Sequence, residues 1–504
     1  MKKMLLILLL FVSFTLSGCS TYYPYYDDYP IESNGETYRE ITDNPFISTA
    51  DMPVSTFSSD VDTASYSNIR RMINSGYLPE KNAVRIEEMV NYFTYNIDGP
   101  SEGEVIHVHQ ELSSAPWHDE HQLLMIGLKT EDIEYSESKP MNLVFLIDVS
   151  GSMYDEDKLP LLKRSLGILV ENLRPVDRIS LVVYAGSARI VLEGGDSTEK
   201  AAILQAITRL EAGGSTAGNQ GIQLAYEVAS RNFIEGGNNR IILATDGDFN
   251  VGTSSVDELE DIIEEKKETG VFLSVLGFGT GNIRDDIMES LADHGNGVYY
   301  YIDSLNEAEK VFIHQLGGTM VTVAKDVKLQ IEFNPALIKG YRLIGYENRV
   351  LDNEDFDDDT KDAGDMGTGH VVIAFYELIK ADSTETIESR DFDPITDLKY
   401  TGENHLTEVA TLSIRYKDPD QNESKLIESV MLETLYTNNP SIEFGFASAV
   451  VEFGLILRDS AYKGDASFSQ ILERTNDALE FDPHGYRAEF KSLVIEARNL
   501  MLED

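Results

Sequence analysis

The chain has 504 residues, of which 41 are basic and 87 acidic, so its formal net charge is −46. A surface this acidic repels phosphates, which excludes nucleic-acid binding and adsorption to anionic lipid by charge. Hydrophobic residues make up 42% of the chain, a normal share for folded protein, and the length predicts roughly two to four domains.

The N-terminus has the pattern of a secretory signal, residues 1–18. Two lysines precede an apolar stretch from Leu5 to Leu16, which is too short to span a bilayer comfortably. Leu16-Ser-Gly-Cys19 then resembles a bacterial lipobox, and Cys19 is the only cysteine. This resemblance implies cleavage before Cys19 and lipid on that residue; the alternative is an ordinary signal peptide with a chance cysteine. We therefore expect a membrane-anchored lipoprotein of the cell envelope, facing the periplasm or the cell surface.

The region between the anchor and the folded part is rich in tyrosine, proline and aspartate. Residues 19–44 lack aliphatic periodicity and are predicted to form a flexible tether. Residues 45–100 are predicted to be a helical segment, with Thr63 capping one helix and a second helix near Met89. Residues 101–139 change to strand patterning.

Residues 140–318 alternate between apolar strands and amphipathic helices, beginning with the strand Asn142–Ile147. This alternation predicts an α/β domain with an open, mostly parallel, doubly wound sheet of the Rossmann-like kind. Residues 319–435 return to strands, and residues 436–504 have helical spacing. Because both flanks are rich in strands, we hypothesise that they form one β-sandwich into which the α/β domain is inserted.

Oxygen-bearing side chains follow two apolar strands of the α/β domain. Asp148, Ser150 and Ser152 follow the first strand, with Gly151 permitting a tight turn. Thr216 lies in a later loop of small residues, and Asp246 follows another apolar strand, predicted to be a neighbour. Open α/β sheets bind their ligands at the carboxyl ends of the strands, which is where these residues lie. An all-oxygen set favours Mg²⁺, with Mn²⁺ or Ca²⁺ as alternatives, over Zn²⁺.

At these residues the sequence resembles the von Willebrand factor type A (VWA) family. The resemblance implies a metal-ion-dependent adhesion site (MIDAS), in which Ser150, Ser152 and Thr216 bind the metal directly. By the same resemblance, Asp148 and Asp246 bind it directly or through water. A carboxylate of a partner then completes the coordination shell. The chain as a whole resembles a subgroup of bacterial VWA-domain lipoproteins that has its own N-terminal and C-terminal extensions.

Three weaker signals have competing interpretations. Four of the nine histidines lie close together, and His107 and His109 share a strand face. The two interpretations are a zinc site and the solvated face of an edge strand. The four are His107, His109, His118 and His121. The acidic run from Asp352 to Asp365 fails the EF-hand pattern, which favours a solvated loop over a Ca²⁺ loop. Asp60 and Asp62 are predicted to cap a helix rather than to bind a cation.

The sequence lacks the common catalytic motifs G-x-S-x-G, H-E-x-x-H and G-x-x-x-x-G-K. We therefore expect a protein that is not an enzyme and that captures a protein partner carrying an exposed Asp or Glu. Two alternatives stay open at this point: a metal-assisted hydrolase of the envelope, and a structural envelope scaffold with a stabilising metal.

Overall fold

A computed structural model describes residues 35–503, except 134–137, 216–217, 248–255, 316–320, 393–394, 396–397, 402–404 and 420. The predicted signal, Cys19 and most of the predicted tether therefore lie outside the described residues, as does Thr216. Among the described helices, none is both long and apolar enough to cross a membrane.

The α/β domain is built on a six-stranded sheet. Its strands are β5 (Met141–Asp148), β6 (Arg178–Tyr184), β7 (Ala188–Gly195), β8 (Asn238–Thr245), β9 (Val271–Phe278) and β10 (Tyr299–Ile302). The order is β10-β9-β8-β5-β6-β7, and only the β6–β7 pair is antiparallel. The sheet is therefore open and mostly parallel, as predicted.

Helices cover both faces of this sheet because successive side chains of each strand point to opposite sides. Leu143, Phe145 and Ile147 pack in one core cluster, and Val144 and Leu146 pack in another. The helices are α3 (Leu159–Glu171), α4 (Lys200–Thr208), α5 (Gly218–Arg231), α6 (Val256–Lys267), α7 (Asp285–His294) and α8 (Leu305–Glu309). The doubly wound, Rossmann-like prediction is confirmed.

The flanking regions form one β-sandwich, as hypothesised. The strands are β1 (Ile47–Ser48), β2 (Val54–Ser58), β3 (Ile106–Ala115), β4 (His118–Thr130), β11 (Thr322–Phe333), β12 (Ile338–Ile344), β13 (Gly364–Gly367), β14 (Val371–Lys380), β15 (Glu408–Lys417) and β16 (Lys425–Leu432). One sheet has the order β1-β12-β14-β4-β3; the other is β13-β11-β15-β16, with β2 also pairing β11. A shared core joins the two sheets, for example Leu124 and Ile126 with Leu329 and Leu412. Strands on either side of the α/β domain thus pair in one sheet.

The two ends of the inserted α/β domain meet at one residue of the sandwich. The Thr368 N–H donates to the Val321 carbonyl (2.9 Å), and its hydroxyl donates to the Glu131 carbonyl (3.0 Å). Val321 and Glu131 lie just beyond the two boundaries of the insertion, so the domain is anchored at adjacent points.

The terminal helices cover the outer face of the first sandwich sheet. They are α1 (Ala64–Asn74), α2 (Ile86–Asn91), α9 (Ile442–Leu457), α10 (Phe468–Asp477) and α11 (Tyr486–Glu503). Met125 and Phe375 of the sheet pack in one core with Phe444 and Phe490 of these helices. The predicted helical segment at 45–100 is only partly right, because residues 47–48 and 54–58 are strands that complete the sandwich.

Two local predictions are wrong. The predicted tether extends too far, because Glu36 pairs with Arg71 (2.9 Å) and Asp43 pairs with Arg458 (2.7 Å), which holds residues 36–44 on the folded unit. Thr63 does precede α1, but its side chain makes no capping hydrogen bond.

Candidate functional site

The first site segment follows β5 directly. Asp148 is the last residue of that strand and is fully buried, and its Oδ1 accepts a hydrogen bond from the Ser150 N–H (2.8 Å). The Ser150 and Ser152 hydroxyls lie 2.9 Å apart. The turn forms without a positive φ at Gly151, so the conformational freedom expected of that glycine is not required.

The loop that leads to Thr216 is held against this turn. The Gly213 N–H donates to the Val149 carbonyl (2.8 Å), and the Gly151 N–H donates to the Gly214 carbonyl (3.1 Å). Gly214 has φ +93°, a conformation that L side chains rarely adopt. The structure thus brings the residues before Thr216 to the site, while Thr216 itself lies outside the described residues.

Asp246 arrives from the neighbouring strand, as predicted. β5 and β8 pair in parallel, with Ile147 opposite Ala244, so Asp148 and Asp246 reach the same edge of the sheet. Asp246 is fully buried, and its Oδ2 accepts from the Lys158 ammonium (3.0 Å) and from the Asn282 amide (3.1 Å). One fixed positive charge therefore already faces this carboxylate.

Lys158 and Asn282 were not predicted from the sequence. Lys158 immediately precedes α3, and its ammonium also donates to Asn282 Oδ1 (3.0 Å). Nothing in the sequence around Lys158 distinguishes it from other lysines at helix starts. Asn282, however, follows β9 at the same sheet edge, so the strand-end rule could have identified it.

The electrostatics of Asp148 suit a cation. The pKa of Asp148 is raised to about 6, mainly by burial and in part by the charge of Asp246, while the Ser150 hydrogen bonds oppose this rise. Its Oδ2 is buried and makes no hydrogen bond of regular geometry with the described residues. The Tyr184 hydroxyl contacts the same carboxylate and lowers its pKa. A buried carboxylate with few well-aligned donors is stabilised when a proton or a metal ion faces it. The donor set of carboxylates and hydroxyls fits a hard divalent cation such as Mg²⁺.

A second group of buried acids lies between the α/β domain and the N-terminal helices. Ligand atoms of Asp62, Glu88 and Glu289 lie within 4.8 Å of one another. Arg85 pairs with Asp285 (2.5 Å), Glu289 (2.8 Å) and Glu88 (2.8 Å). We call these four acids, together with Arg85 and Arg349, the arginine-filled cluster.

The remaining oxygens of this cluster also have donors. The Tyr299 N–H donates to Asp62 (2.7 Å), Arg349 pairs with the same carboxylate, and the Ser65 N–H donates to Glu88 (2.8 Å). Asn348 donates to Glu289. Asp62 therefore binds backbone and guanidinium groups, and the prediction that it caps a helix is wrong.

Two lysine side chains donate hydrogen bonds to backbone carbonyls of the acidic run from Asp352 to Asp365. The Lys328 ammonium donates to the carbonyls of Asp355 (3.0 Å) and Asp358 (2.5 Å), and Lys417 donates to the carbonyl of Asp359 (2.7 Å). Asp357 is exposed, whereas Phe356 is buried beneath the loop. Ammonium groups occupy positions where carbonyl oxygens would coordinate Ca²⁺, which supports the solvated-loop interpretation.

Comparisons with known proteins agree with the two-part architecture. Residues 142–314 match the von Willebrand factor type A domain, and residues 318–500 match the family described as "Uncharacterized protein YfbK, C-terminal". Residues 32–125 match a family described as "von Willebrand factor". The matched boundary near residue 316 coincides with the end of the inserted domain.

Several curated proteins are similar to the chain. It is 43% identical over 464 residues to "Uncharacterized protein YfbK" of Escherichia coli (strain K12), which covers 91% of this chain and 80% of that protein. It is 30% identical over 201 residues to "Uncharacterized protein sll0103" of Synechocystis sp., covering 40% of this chain and 46% of that protein. Inter-alpha-trypsin inhibitor heavy chain H3 of Homo sapiens is 27% identical over 231 residues, covering 42% of this chain and 23% of that protein.

Among solved structures, "von Willebrand factor type A from Catenulispora acidiphila" covers 77% of this chain and 89% of its own, with TM-score 0.41 and 17% identity. The family assignment rests on the Escherichia coli protein, because that match combines high sequence identity with coverage of most of both chains. The chain belongs to the family of the Escherichia coli protein YfbK, and its inserted α/β domain is a von Willebrand factor type A domain.

Proposed function

We propose that this protein is a lipid-anchored, extracytoplasmic binding protein that captures a protein partner through a divalent metal ion. Asp148, Ser150, Ser152, Thr216 and Asp246 hold the metal, with Mg²⁺ as the first candidate. An Asp or Glu side chain of the partner completes the coordination. The lipid on Cys19 keeps the protein at the membrane.

One observation carries the metal-binding part of this proposal. Asp148 Oδ2 is buried without a regular hydrogen bond at a sheet edge where two serine hydroxyls also converge. A divalent cation would satisfy that oxygen and lower the pKa of the carboxyl group. Lys158 neutralises only part of the charge of the two aspartates, so the loaded site keeps a positive charge for an acidic ligand.

The surroundings of the site support contact with a large partner. Gly151 and the loop residues 213–215 are exposed, and Tyr154 in the same turn is 77% exposed. Exposed aromatic side chains of this kind often dominate binding energy in protein interfaces. Tyr154 is therefore a candidate contact residue that does not itself bind the metal.

The hydrolase alternative has no supporting contact in the described part of the chain. None of the described hydrogen bonds joins Ser150 or Ser152 to a basic side chain that could activate a nucleophile. Capture of a partner is the function that the site supports best.

The test is a pull-down of envelope proteins with a fragment beginning at residue 35, where the folded unit begins. Wild type with Mg²⁺ should retain a partner that is lost with EDTA or with Asp148→Ala. Tyr154→Ala should weaken capture while Mg²⁺ binding persists. Equal capture under all of these conditions would refute the metal-dependent mechanism.

The anchor is tested separately. In cells, Cys19→Ser should move the full-length protein from the membrane fraction to the soluble fraction, while capture by the fragment stays unchanged. A variant that stays fully in the membrane fraction would contradict lipid attachment at Cys19.

A further inference from the structure

Two histidines of the sandwich come together through an irregularity at the start of β4. Ala115 pairs with His118, but the preceding Ser114 pairs with Gln122, so extra residues of β4 bulge out of the ladder. Residues three apart in a regular strand point to opposite faces. Here the rings of His118 and His121 stack, with centroids 3.6 Å apart and planes 15° apart.

Glu385 reaches this pair from the segment after β14. Its Oε1 lies 2.9 Å from His121 Nε2, and ligand atoms of His118, His121 and Glu385 all lie within 4.8 Å of one another. His118 Nδ1 is buried and makes no hydrogen bond with the described residues. Two imidazoles and one carboxylate thus converge at one point of the β-sandwich, whereas the predicted Mg²⁺ ligands belong to the α/β domain.

The other nitrogen of His121 is held by a buried carboxylate. His121 Nδ1 lies 2.6 Å from Glu377 Oε1, and Arg342 donates to Glu377 Oε2 (2.7 Å). Both Glu377 and Arg342 are almost completely buried. Metal-binding histidines commonly make such a hydrogen bond to a carboxylate, which orients the ring and raises its basicity. Nε2 is thereby directed toward Glu385.

We propose that His118, His121 and Glu385 bind a zinc ion, with Glu377 and Arg342 as positioning residues. Nitrogen and carboxylate donors suit Zn²⁺, and three protein ligands leave a fourth position for water. Ligand atoms of tetrahedral zinc lie about 3.4 Å apart, given bonds of about 2.0–2.1 Å. On loading, the two rings must therefore separate and tilt out of their stack, because the ion lies in the plane of each ring that binds it. The bound ion joins the tip of the β3–β4 hairpin to the segment after β14.

This site differs from the zinc hypothesis raised by the sequence. His107 and His109 do not take part; His109 lies 3.6 Å from Glu111 instead. The acidic ligand was not predictable, because Glu385 is 264 positions from His121 along the chain. The proposal is independent of the proposed function, since it uses none of the same residues.

The experiment measures zinc content of the purified full-length protein after dialysis against micromolar zinc, in an Asp148→Ala background that disables the other metal site. His118→Phe keeps a ring to stack on His121, and Glu385→Gln keeps a hydrogen-bonding group, but each removes one ligand. His107→Phe is the matched control on the adjacent strand. We expect one zinc per chain in the background and the control, and loss of zinc in both test variants.

Melting temperatures in EDTA establish that the variants are folded. If one of the two test variants fails to fold, the zinc content of the other decides the proposal. Zinc retained in full by a folded His118→Phe or Glu385→Gln protein would overturn the proposal. So would the absence of bound zinc from the Asp148→Ala background, which would identify His121 as a histidine held between two carboxylates without a metal.

Discussion

Two groups of buried carboxylates in this protein differ in how many donor groups of the protein face their oxygens. At the sheet edge of the VWA domain, Asp148 has an oxygen without a regular hydrogen bond. In the arginine-filled cluster, Asp62, Glu88 and Glu289 are equally buried, but guanidinium, amide and backbone N–H groups face their oxygens. Burial and proximity of acids therefore do not by themselves define a metal site. What distinguishes the two is whether donors of the protein already satisfy the carboxylates.

The largest expected difference between the two groups is in metal binding. Asp148→Ala should abolish the rise in melting temperature that millimolar Mg²⁺ produces in wild type, because a ligand that binds only the folded state stabilises it. Glu289→Gln should leave that rise intact. Thermal denaturation with Mg²⁺ and with EDTA measures both. A full Mg²⁺ response in Asp148→Ala would remove the distinction between the groups.

The next effect is on stability and concerns the arginine-filled cluster. Arg85→Met should destabilise the fold by about 3–5 kcal/mol, because it leaves the buried acids Asp285 and Glu289 without their counter-ion. Arg231→Met, which breaks an exposed pair with Glu193, is the matched control and should change stability far less, because solvent screens this pair. Chemical denaturation measures both. Equal effects would show that Arg85 is not the central cation of the cluster.

The Lys158 ammonium is expected to weaken metal binding at the sheet edge of the VWA domain. Lys158→Met removes a buried ammonium that faces Asp246, so repulsion of an incoming Mg²⁺ ion falls. We expect Mg²⁺ to bind roughly tenfold more tightly, equivalent to about 1.4 kcal/mol. Titration of the purified protein measures the dissociation constant. Weaker binding would mean instead that Lys158 holds Asp246 in its binding position.

Much of the α/β domain could be predicted because its signals are local. Apolar strands such as Asn142–Ile147 and the oxygen-bearing residues that follow them are adjacent in sequence. The arginine-filled cluster could not be predicted in this way, since Arg85 and Asp285 are 200 positions apart. Residues 36–44 were misassigned for the same reason: their composition is that of a linker, but long-range ion pairs such as Asp43–Arg458 hold them in place.

The smallest expected effect is a change in pH dependence. Burial raises the pKa of Glu88 to about 8, so the folded state holds a proton that the unfolded state releases near its ordinary pKa. Stability from this group is therefore present at low pH and is lost as the pH rises toward 8. Glu88→Gln imitates the protonated form. Between pH 6 and 8 the free energy of unfolding of Glu88→Gln should fall less steeply than that of wild type. The difference in slope should be at most about 1.4 kcal/mol per pH unit, the value for one proton.

Denaturation of both proteins at several pH values, with EDTA present throughout, measures this difference. The matched control is Glu193→Gln, whose carboxylate is exposed and paired with Arg231. Parallel pH profiles for wild type and Glu88→Gln would show that Glu88 does not carry the proton.

The most direct test of the metal-binding account is calorimetric titration of the metal-free protein with Mg²⁺. We predict one binding site per chain in wild type and in Glu88→Gln, and none in Asp148→Ala. Mg²⁺ binding that survives in Asp148→Ala but is lost in Glu88→Gln would contradict the account, because the ion would then occupy the arginine-filled cluster.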